Sequence, residues 1–182
     1  MKYDEKDSSF ILNLVNKKNF SSVLDFGCAS GKTIEEILAT NPKKNIVYGI
    51  DINFAAVDFC RKKFARKFSN RFEFSECFNQ ENINRFLKRY NVSAFDIVLL
   101  DRVAYCLSNE ELTDLLIEIS KISSMIFVDD FDIRTLANDS EYRHRNWRKI
   151  MQGIGFKEIY NEDTNYQPVL NASARTMIFQ KL

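Results

Sequence analysis

Residues 23–33 read Val23-Leu24-Asp25-Phe26-Gly27-Cys28-Ala29-Ser30-Gly31-Lys32-Thr33, and the rest of the chain can be interpreted outward from this stretch. The apolar run 23–26 predicts a short buried strand. The two glycines that follow predict a tight turn whose backbone a ligand can approach closely. Ile34, Ile37 and Leu38 then recur at helical spacing. The stretch therefore predicts a strand, a ligand-binding turn and a helix in succession.

Two common phosphate-binding patterns fit this turn poorly. A P-loop has four residues between its first glycine and its Gly-Lys-Thr, whereas only three separate Gly27 from Gly31. The dinucleotide fingerprint G-x-G-x-x-G would put its last glycine at position 32, which is Lys32. The turn thus argues against a P-loop protein and against a nicotinamide-dependent reductase.

Strand and helix patterns alternate along the remainder of the chain. Such alternation implies right-handed crossovers and a mostly parallel sheet that helices cover on both faces. Ligands bind such sheets beyond the carboxyl ends of the strands. Further strands are predicted at 46–50, 71–74, 95–100, 125–128, 156–160 and 176–179. Further helices are predicted from Asn53 to about Phe68, over 83–90, after the capping box Ser108-x-x-Glu111, and over 142–154.

Composition excludes several classes of protein. The 26 Lys+Arg and 25 Asp+Glu leave a net charge of +1, which argues against a polyanion as the main partner. No apolar window approaches the ~20 residues of a membrane-spanning helix. The start of the chain is too polar for a secretory signal, and a cytoplasmic location is expected. Four scattered cysteines without C-x-x-C spacing are typical of free thiols: Cys28, Cys60, Cys77 and Cys106.

The turn resembles the D-x-G-x-G-x-G motif of class I S-adenosylmethionine-dependent methyltransferases, with Ala29 in place of the middle glycine. The similarity extends over nearly the whole chain. Ile50-Asp51-Ile52 closes the second strand, residues 95–101 look like the family's fourth-strand motif, and Gly155-Phe156 precedes two last strands. The resemblance implies a three-layer Rossmann-like α/β sandwich with a seven-stranded, mostly parallel sheet and a C-terminal antiparallel hairpin.

The resemblance also implies which residues bind the cofactor at the turn. The backbone there would approach the methionine part of S-adenosylmethionine or of its product, S-adenosylhomocysteine. Ala29 would need a negative φ, because a side chain disfavours the left-handed region. Asp25 would orient the turn or contact the cofactor indirectly, and the approach would be made at Gly27, Cys28, Ala29 and Gly31.

Further cofactor contacts would follow the second and third strands. Asp51 would accept the two ribose hydroxyls of the adenosine, although a plain helix cap is an alternative interpretation. Ile52 would pack against the adenine. The family often has an Asp after the third strand for the adenine amino group, but this chain has Glu76-Cys77-Phe78. Glu76 or a backbone group would have to serve.

The acceptor side would follow the fourth and fifth strands. Asp101 and Arg102 lie where the family faces the methionine end of the cofactor and the incoming substrate. His144, the only histidine, and Tyr105 are candidates for taking a proton from the acceptor. For His144 the alternative is an exposed residue at a helix start.

A metal site is a further alternative on the acceptor side. Asp101, Asp129 and Asp130 follow two strands after which the catechol-type branch of the family carries acidic metal ligands. Carboxylate oxygens suit Mg²⁺. The alternative is a set of helix caps together with one acid that faces the substrate, and this is the interpretation we adopt, with no metal.

The resemblance implies one methyltransferase domain over residues 1–182, with extra segments at 1–20, 131–146 and 163–175. These segments are short, so a lid over a small metabolite or sugar-like acceptor fits them, with O- or N-methylation. Arginines would suit an anionic acceptor: Arg134, Arg143 and Arg145. The alternatives are an RNA or protein methyltransferase that needs a partner, and an inactive cofactor-binding subunit. The basic run 61–67 is interpreted as a solvated helix face rather than an RNA contact, and a homodimer or partner subunit stays open.

Overall fold

The computed structural model describes residues 5–68, 70–132, 145–163 and 174–182. The chain divides into two compact units, Met1–Ile97 and Val98–Leu182, which are described separately. Most of the predicted segments 131–146 and 163–175 therefore lie outside the described residues, as do the candidate residues Arg134, Arg143 and His144.

The first unit alternates helices and strands, and each predicted element up to residue 90 is present. A helix precedes the first strand, within the segment 1–20 that is expected to form an N-terminal lid or helix. The elements are α1 (Glu5–Lys17), β1 (Ser22–Phe26), α2 (Lys32–Thr40), β2 (Ile46–Ile50), α3 (Phe54–Ala65), β3 (Phe72–Ser75) and α4 (Gln80–Arg89).

The second unit contains the remaining predicted strands and a short 3₁₀ turn, Ala104–Cys106. Ser108 Oγ accepts the Glu111 N–H at 3.1 Å and the Glu111 carboxylate accepts the Ser108 N–H at 2.7 Å, which confirms the predicted capping box. The elements are β4 (Ile97–Asp101), α5 (Asn109–Ile122), β5 (Met125–Asp130), α6 (Trp147–Gly153), β6 (Phe156–Asp163) and β7 (Arg175–Lys181).

The strands form a seven-stranded sheet in the order β3-β2-β1-β4-β5-β7-β6. In the first unit β1 pairs with β2 and β2 with β3, both in parallel. In the second unit β4 and β5 are parallel, whereas β7 runs antiparallel to both β5 and β6. The predicted mostly parallel sheet with a C-terminal antiparallel hairpin is confirmed.

Strands β2 and β4 are continuous apolar runs because both faces of a parallel sheet are covered. All five residues of β2 are buried, as are the first four of β4.

Gly49 in β2 allows a close approach of neighbouring side chains. A Cβ atom built there would lie 2.5 Å from Phe74 Cδ1 and 2.8 Å from Ile34 Cδ1, too close for any larger residue.

Several predicted boundaries differ from the structure, and strands β5, β6 and β7 extend beyond their predicted ranges. Helix α3 ends at Ala65 rather than near Phe68, and β3 is shifted one residue toward the C-terminus. Strand β4 begins at Ile97 rather than Phe95, because the preceding Asp96 side chain bonds the start of β1.

The helix predicted over 142–154 is α6, which begins only at Trp147 within the described residues. Arg145 instead pairs with Asp132 in an isolated parallel bridge. Asn146 is the helix cap, since its side chain accepts the Lys149 N–H at 3.0 Å.

We expect Asp96→Ala to destabilise the chain. Asp96 Oδ2 accepts the Ser21 N–H at 2.6 Å and the Ser22 N–H at 2.9 Å, so its loss leaves two part-buried donors unmatched. Leaving such donors unsatisfied costs about 1–3 kcal/mol, which corresponds to a fall in Tm of roughly 2–12 °C for a chain of this size. Urea and thermal unfolding measure the change. Asp114→Ala, on the exposed face of α5, is the control; equal loss in both variants would contradict the assignment.

Candidate active site

The glycine turn between β1 and α2 has a left-handed backbone at alternate positions. The φ angles are 84° at Gly27, 45° at Ala29 and 71° at Gly31. The N–H groups of Gly27 and Cys28 both donate to Ile50 O, at 2.7 and 2.9 Å, so the turn is fastened to the end of β2. The structure thus places the turn and the residue before Asp51 side by side.

The prediction of a negative φ at Ala29 is wrong. Its backbone adopts the left-handed conformation that a glycine would, at φ 45°. Such a conformation costs an L-residue about 1–2 kcal/mol. Strain of this kind persists where surrounding contacts fix it and is frequent at ligand sites. Here one contact is evident, because Asp51 Oδ2 accepts the Ala29 N–H at 2.7 Å.

Asp51 is not the cap of helix α3. That cap is Asn53, whose side-chain oxygen accepts the N–H groups of Ala55 and Ala56 at 3.0 and 3.3 Å. Asp51 Oδ1 accepts the Asn53 N–H at 2.8 Å, so each carboxylate oxygen holds one backbone donor. A carboxylate has about four acceptor positions. Two therefore remain to receive a pair of hydroxyl groups.

Ile52 is exposed where β2 ends. Its side chain is 90% exposed, the largest exposure among the large apolar residues of the described chain. Ile52 offers an apolar contact and the neighbouring Asp51 carboxylate offers hydrogen-bond acceptors to the same ligand. An adenosine has matching groups, because its base has an apolar face and its ribose carries two hydroxyl groups.

Glu76 after β3 is held by an arginine. Arg61 Nη1 lies 2.7 Å from Glu76 Oε1, and Arg61 Nη2 donates to Phe74 O at 2.7 Å. The hydrogen bond from Arg61 lowers the pKa of Glu76. Cys77 is exposed and Phe78 half-buried beside it. Sequence reasoning missed the pairing with Arg61, since the two residues are 15 positions apart and no local pattern connects them.

Cys28 in the turn and Asp25 in β1 are both buried. Burial, with the nearby Asp25 carboxylate, raises the pKa of the Cys28 thiol, which argues against a role for Cys28 as a nucleophile. The role of Asp25 toward a cofactor stays a prediction.

The basic run 61–67, which begins on α3 and continues past its end, is partly neutralised by acids of the same unit. Lys62 lies 2.6 Å from Asp58, and both Lys63 and Lys67 contact Glu35, at 2.5 and 2.6 Å. Each pairing reduces the positive charge that the run offers to a phosphate backbone. This supports the interpretation of the run as a solvated helix face.

In the second unit, Arg102 lies between two acids at the carboxyl ends of β4 and β5. The Arg102 Nε atom is 3.2 Å from Asp101 Oδ1 and 4.0 Å from Asp129 Oδ2. The backbone N–H of Arg102 donates to the backbone carbonyl of Asp129 at 2.8 Å. Arg102 itself has a left-handed φ of 52°. A fixed guanidinium thus stands between the two carboxylates that the metal alternative would use.

Asp130, the third of those acids, points toward another arginine. It is fully buried; its Oδ1 accepts the Phe131 N–H at 2.8 Å and its Oδ2 lies 3.8 Å from Arg145 Nη1. Burial raises the pKa of Asp130 to about 7. Within the described ranges, no group of three or more His, Cys, Asp or Glu side chains is arranged to hold a metal ion.

Arg145 does not face an anionic acceptor, contrary to the hypothesis from the sequence. It is only 4% exposed, and its guanidinium donates to Ala104 O, Leu107 O and Asn109 Oδ1. The turn that it holds carries Tyr105, which is half-buried, with its ring edge-on to Phe131 at 5.8 Å.

The chain matches the family described as "Methyltransferase domain" over residues 17–173. No curated protein matches it. No helix in the part of the chain that the structure describes is long and apolar enough to cross a membrane.

Solved methyltransferases share the fold. Magnesium protoporphyrin IX methyltransferase from Synechocystis PCC 6803, solved with bound SAM, has a TM-score of 0.69 and 15% identity; the match covers 97% of this chain and 79% of that one. The N-methyltransferase NodS from Bradyrhizobium japonicum WM9 has a TM-score of 0.69 and 13% identity, with coverages of 97% and 96%.

A third similar structure is 1,6-didemethyltoxoflavin-N1-methyltransferase from Burkholderia thailandensis, with bound 1,6-didemethyltoxoflavin and S-adenosylhomocysteine. Its TM-score is 0.70 at 14% identity, and the match covers 96% of this chain and 76% of that one. Together with the family match over most of the chain, the Gly27–Gly31 turn and its Asp51 partner identify this protein as a member of the class I methyltransferase family that its sequence resembles.

Proposed function

We propose that this chain transfers the methyl group of S-adenosylmethionine to an oxygen or nitrogen of a small molecule. The observation that carries the proposal is the left-handed turn at Gly27, Ala29 and Gly31, fixed by Asp51. A turn of this shape gives a ligand close access to the backbone. The neighbouring carboxylate keeps two acceptor positions for a ribose diol.

The residues present fit this cofactor. Asp51 would receive the ribose hydroxyls, and Ile52, which is 90% exposed, would cover one face of the adenine. The turn residues Gly27 and Ala29 would lie along the methionine part. Glu76, kept ionised by Arg61, would accept a hydrogen bond from the adenine amino group. Asp101 and Arg102 are proposed to contact the methionine end of the cofactor, and this contact stays a prediction.

When bound, S-adenosylmethionine supplies an electrophilic methyl carbon on a sulfonium. The protein's task is then to align an acceptor atom with that carbon at ~3 Å and to exclude water, which accounts for most of the rate in such displacements. An acceptor hydroxyl or ammonium must also lose a proton, and Asp101, Tyr105 and His144 are the proposed candidates for receiving it.

A small-molecule acceptor is favoured by two observations. The structures with similar folds include enzymes whose names specify small acceptors, a magnesium protoporphyrin and a didemethyltoxoflavin. Four of the five basic side chains of the run 61–67, the feature that would suit RNA, are paired with acids. The acceptor's chemistry is to be found by measuring S-adenosylhomocysteine formation with a panel of hydroxyl and amine metabolites, with tRNA and rRNA in parallel. Turnover on RNA alone would contradict the proposal.

We expect S-adenosylhomocysteine to stabilise the protein and NAD and ATP not to. At ~100 times its dissociation constant a ligand adds ~2.7 kcal/mol, which is roughly 5–11 °C in Tm for a chain of this size. Asp51→Ala should abolish the shift, because it removes both the ribose acceptor and the partner of Ala29. Asp58→Ala is the matched control, since Asp58 is a half-buried acid on α3 whose ion pair within the described part of the chain is with Lys62. A full shift in the Asp51 variant would contradict the assigned site.

Ala29→Gly should stabilise the free protein slightly and keep cofactor binding. Glycine adopts the observed φ of 45° without strain, which is worth about 1–2 kcal/mol, and its greater freedom when unfolded takes back about 0.4–1 kcal/mol. The net gain is up to ~1.5 kcal/mol in urea unfolding. Ala39→Gly, at an exposed position in the last turn of α2, should instead destabilise, by at most about 0.5–1 kcal/mol. A loss of stability in Ala29→Gly would show that the left-handed conformation is not the native one.

Replacing the proton acceptor should lower turnover by about 10²–10⁴-fold. The variants are Asp101→Asn, Tyr105→Phe and His144→Asn, measured as kcat on the acceptor that the panel identifies, with S-adenosylhomocysteine affinity as the control. Full activity in all three variants would show that none of these three residues takes a proton from the methyl acceptor.

A further inference from the structure

Arg145 is almost completely buried, although arginine usually keeps its head group in water. It is 4% exposed and lies just before α6. Its guanidinium makes three described contacts with one stretch of chain. Nη1 donates to Ala104 O at 2.8 Å, Nη2 to Leu107 O, and Nε to Asn109 Oδ1 at 3.3 Å. A buried charge is tolerated only where its donors are matched, and these carbonyls match them.

The stretch that Arg145 holds has little regular structure of its own. It is a single 3₁₀ turn, Ala104–Cys106, closed by the Cys106 N–H to Val103 O at 3.1 Å and the Leu107 N–H to Ala104 O at 3.0 Å. Isolated turns of this kind are weak, since their hydrogen-bond geometry is poor. The position of the turn therefore depends on contacts from outside it, and Arg145 supplies these on both sides of Tyr105.

Arg145 also fixes the surface against which Tyr105 packs. Its backbone N–H donates to Phe131 O at 3.3 Å, and the Phe131 ring lies edge-on to the Tyr105 ring at 5.8 Å. Asp130 Oδ2, 3.8 Å from Nη1, partly balances the charge. One residue thus connects the turn after β4 to the end of β5.

We propose that Arg145 is a positioning residue, which holds the Ala104–Leu107 turn and with it Tyr105 in the place where the methyl acceptor is met. The inference rests on the proposed function, because residues that follow the strands of a parallel sheet at its carboxyl edge are the ones that meet ligands. The guanidinium is suited to this task because its planar fork reaches two carbonyls at once, which the point charge of a lysine cannot do.

Hydrogen exchange of the full chain tests the structural half without any acceptor. In Arg145→Met, the amides of Cys106 and Leu107 should exchange at least about tenfold faster, while the Ser123 amide, bonded to Ile119 O in the same unit, keeps its rate. Arg145→Lys should give an intermediate rate. Arg148→Met is the control, since Arg148 is an exposed arginine of α6 that contacts only Glu158 among the described residues. Unchanged exchange at Cys106 and Leu107 in a folded Arg145→Met would overturn the proposal.

Kinetics on the acceptor from the panel separate positioning from general stability. Arg145→Met should lower kcat or raise the acceptor KM by about 10–100-fold, while the KM for S-adenosylmethionine changes by less than about twofold. Arg145→Lys should recover part of the loss. If both KM values and kcat stay at the wild-type level, Arg145 is only a structural residue and the proposal fails.

The two proposals fail in different ways. Absence of S-adenosylhomocysteine binding by the wild-type protein would overturn the proposed function, whereas the exchange rates still decide what Arg145 does to the turn. If Arg145→Met does not fold, Arg145→Lys and Asn109→Ala, which removes only the Nε acceptor, provide the same comparison of exchange rates.

Discussion

The hydrogen bond from the Ala29 N–H to the Asp51 carboxylate is the contact on which the cofactor side of the molecule depends. It is possible because β1 and β2 pair in parallel with Phe26 opposite Ile50, so the turn after one strand starts beside the acid after the other. The bond holds a non-glycine residue in the left-handed region. It also leaves the carboxylate with acceptor capacity, so that one side chain both shapes the turn and can bind a diol.

The acids of the second unit are governed by a different constraint, the cost of burying charge. Asp101 and Asp129 share Arg102, and Asp130 lies beside Arg145. Unpaired carboxylates in such positions would be strongly destabilising. Arginine serves this purpose well because its charge is permanent and its donors are spread over a planar fork. The acids that suggested a metal site are thus placed with cations that the protein itself supplies.

Pairing of opposite charges also changes the interpretation of the basic run 61–67. The sequence alone shows a dense positive run, but four of its side chains have carboxylate partners in the structure: Arg61, Lys62, Lys63 and Lys67. Exposed pairs of this kind add little stability. Their effect is to reduce the positive charge of this surface, while Arg61 additionally holds Glu76, which directly follows β3.

The order and type of the strands and of most helices could be predicted from the sequence alone, because hydrophobic periodicity and the Ser108–Glu111 capping box are local signals. The proximity of the turn to Asp51 was also predictable, since both follow strands whose ends must meet at one edge of the sheet. The φ of Ala29, the late start of β4 and the burial of Arg145 were not readable. Each depends on a partner distant in sequence: Asp51 for Ala29, Ser21 for Asp96, and the Ala104–Leu107 carbonyls for Arg145. A residue's own pattern predicts whether it is helical or extended, but only the tertiary structure decides which polar groups it must satisfy, because those groups are brought to it by folding.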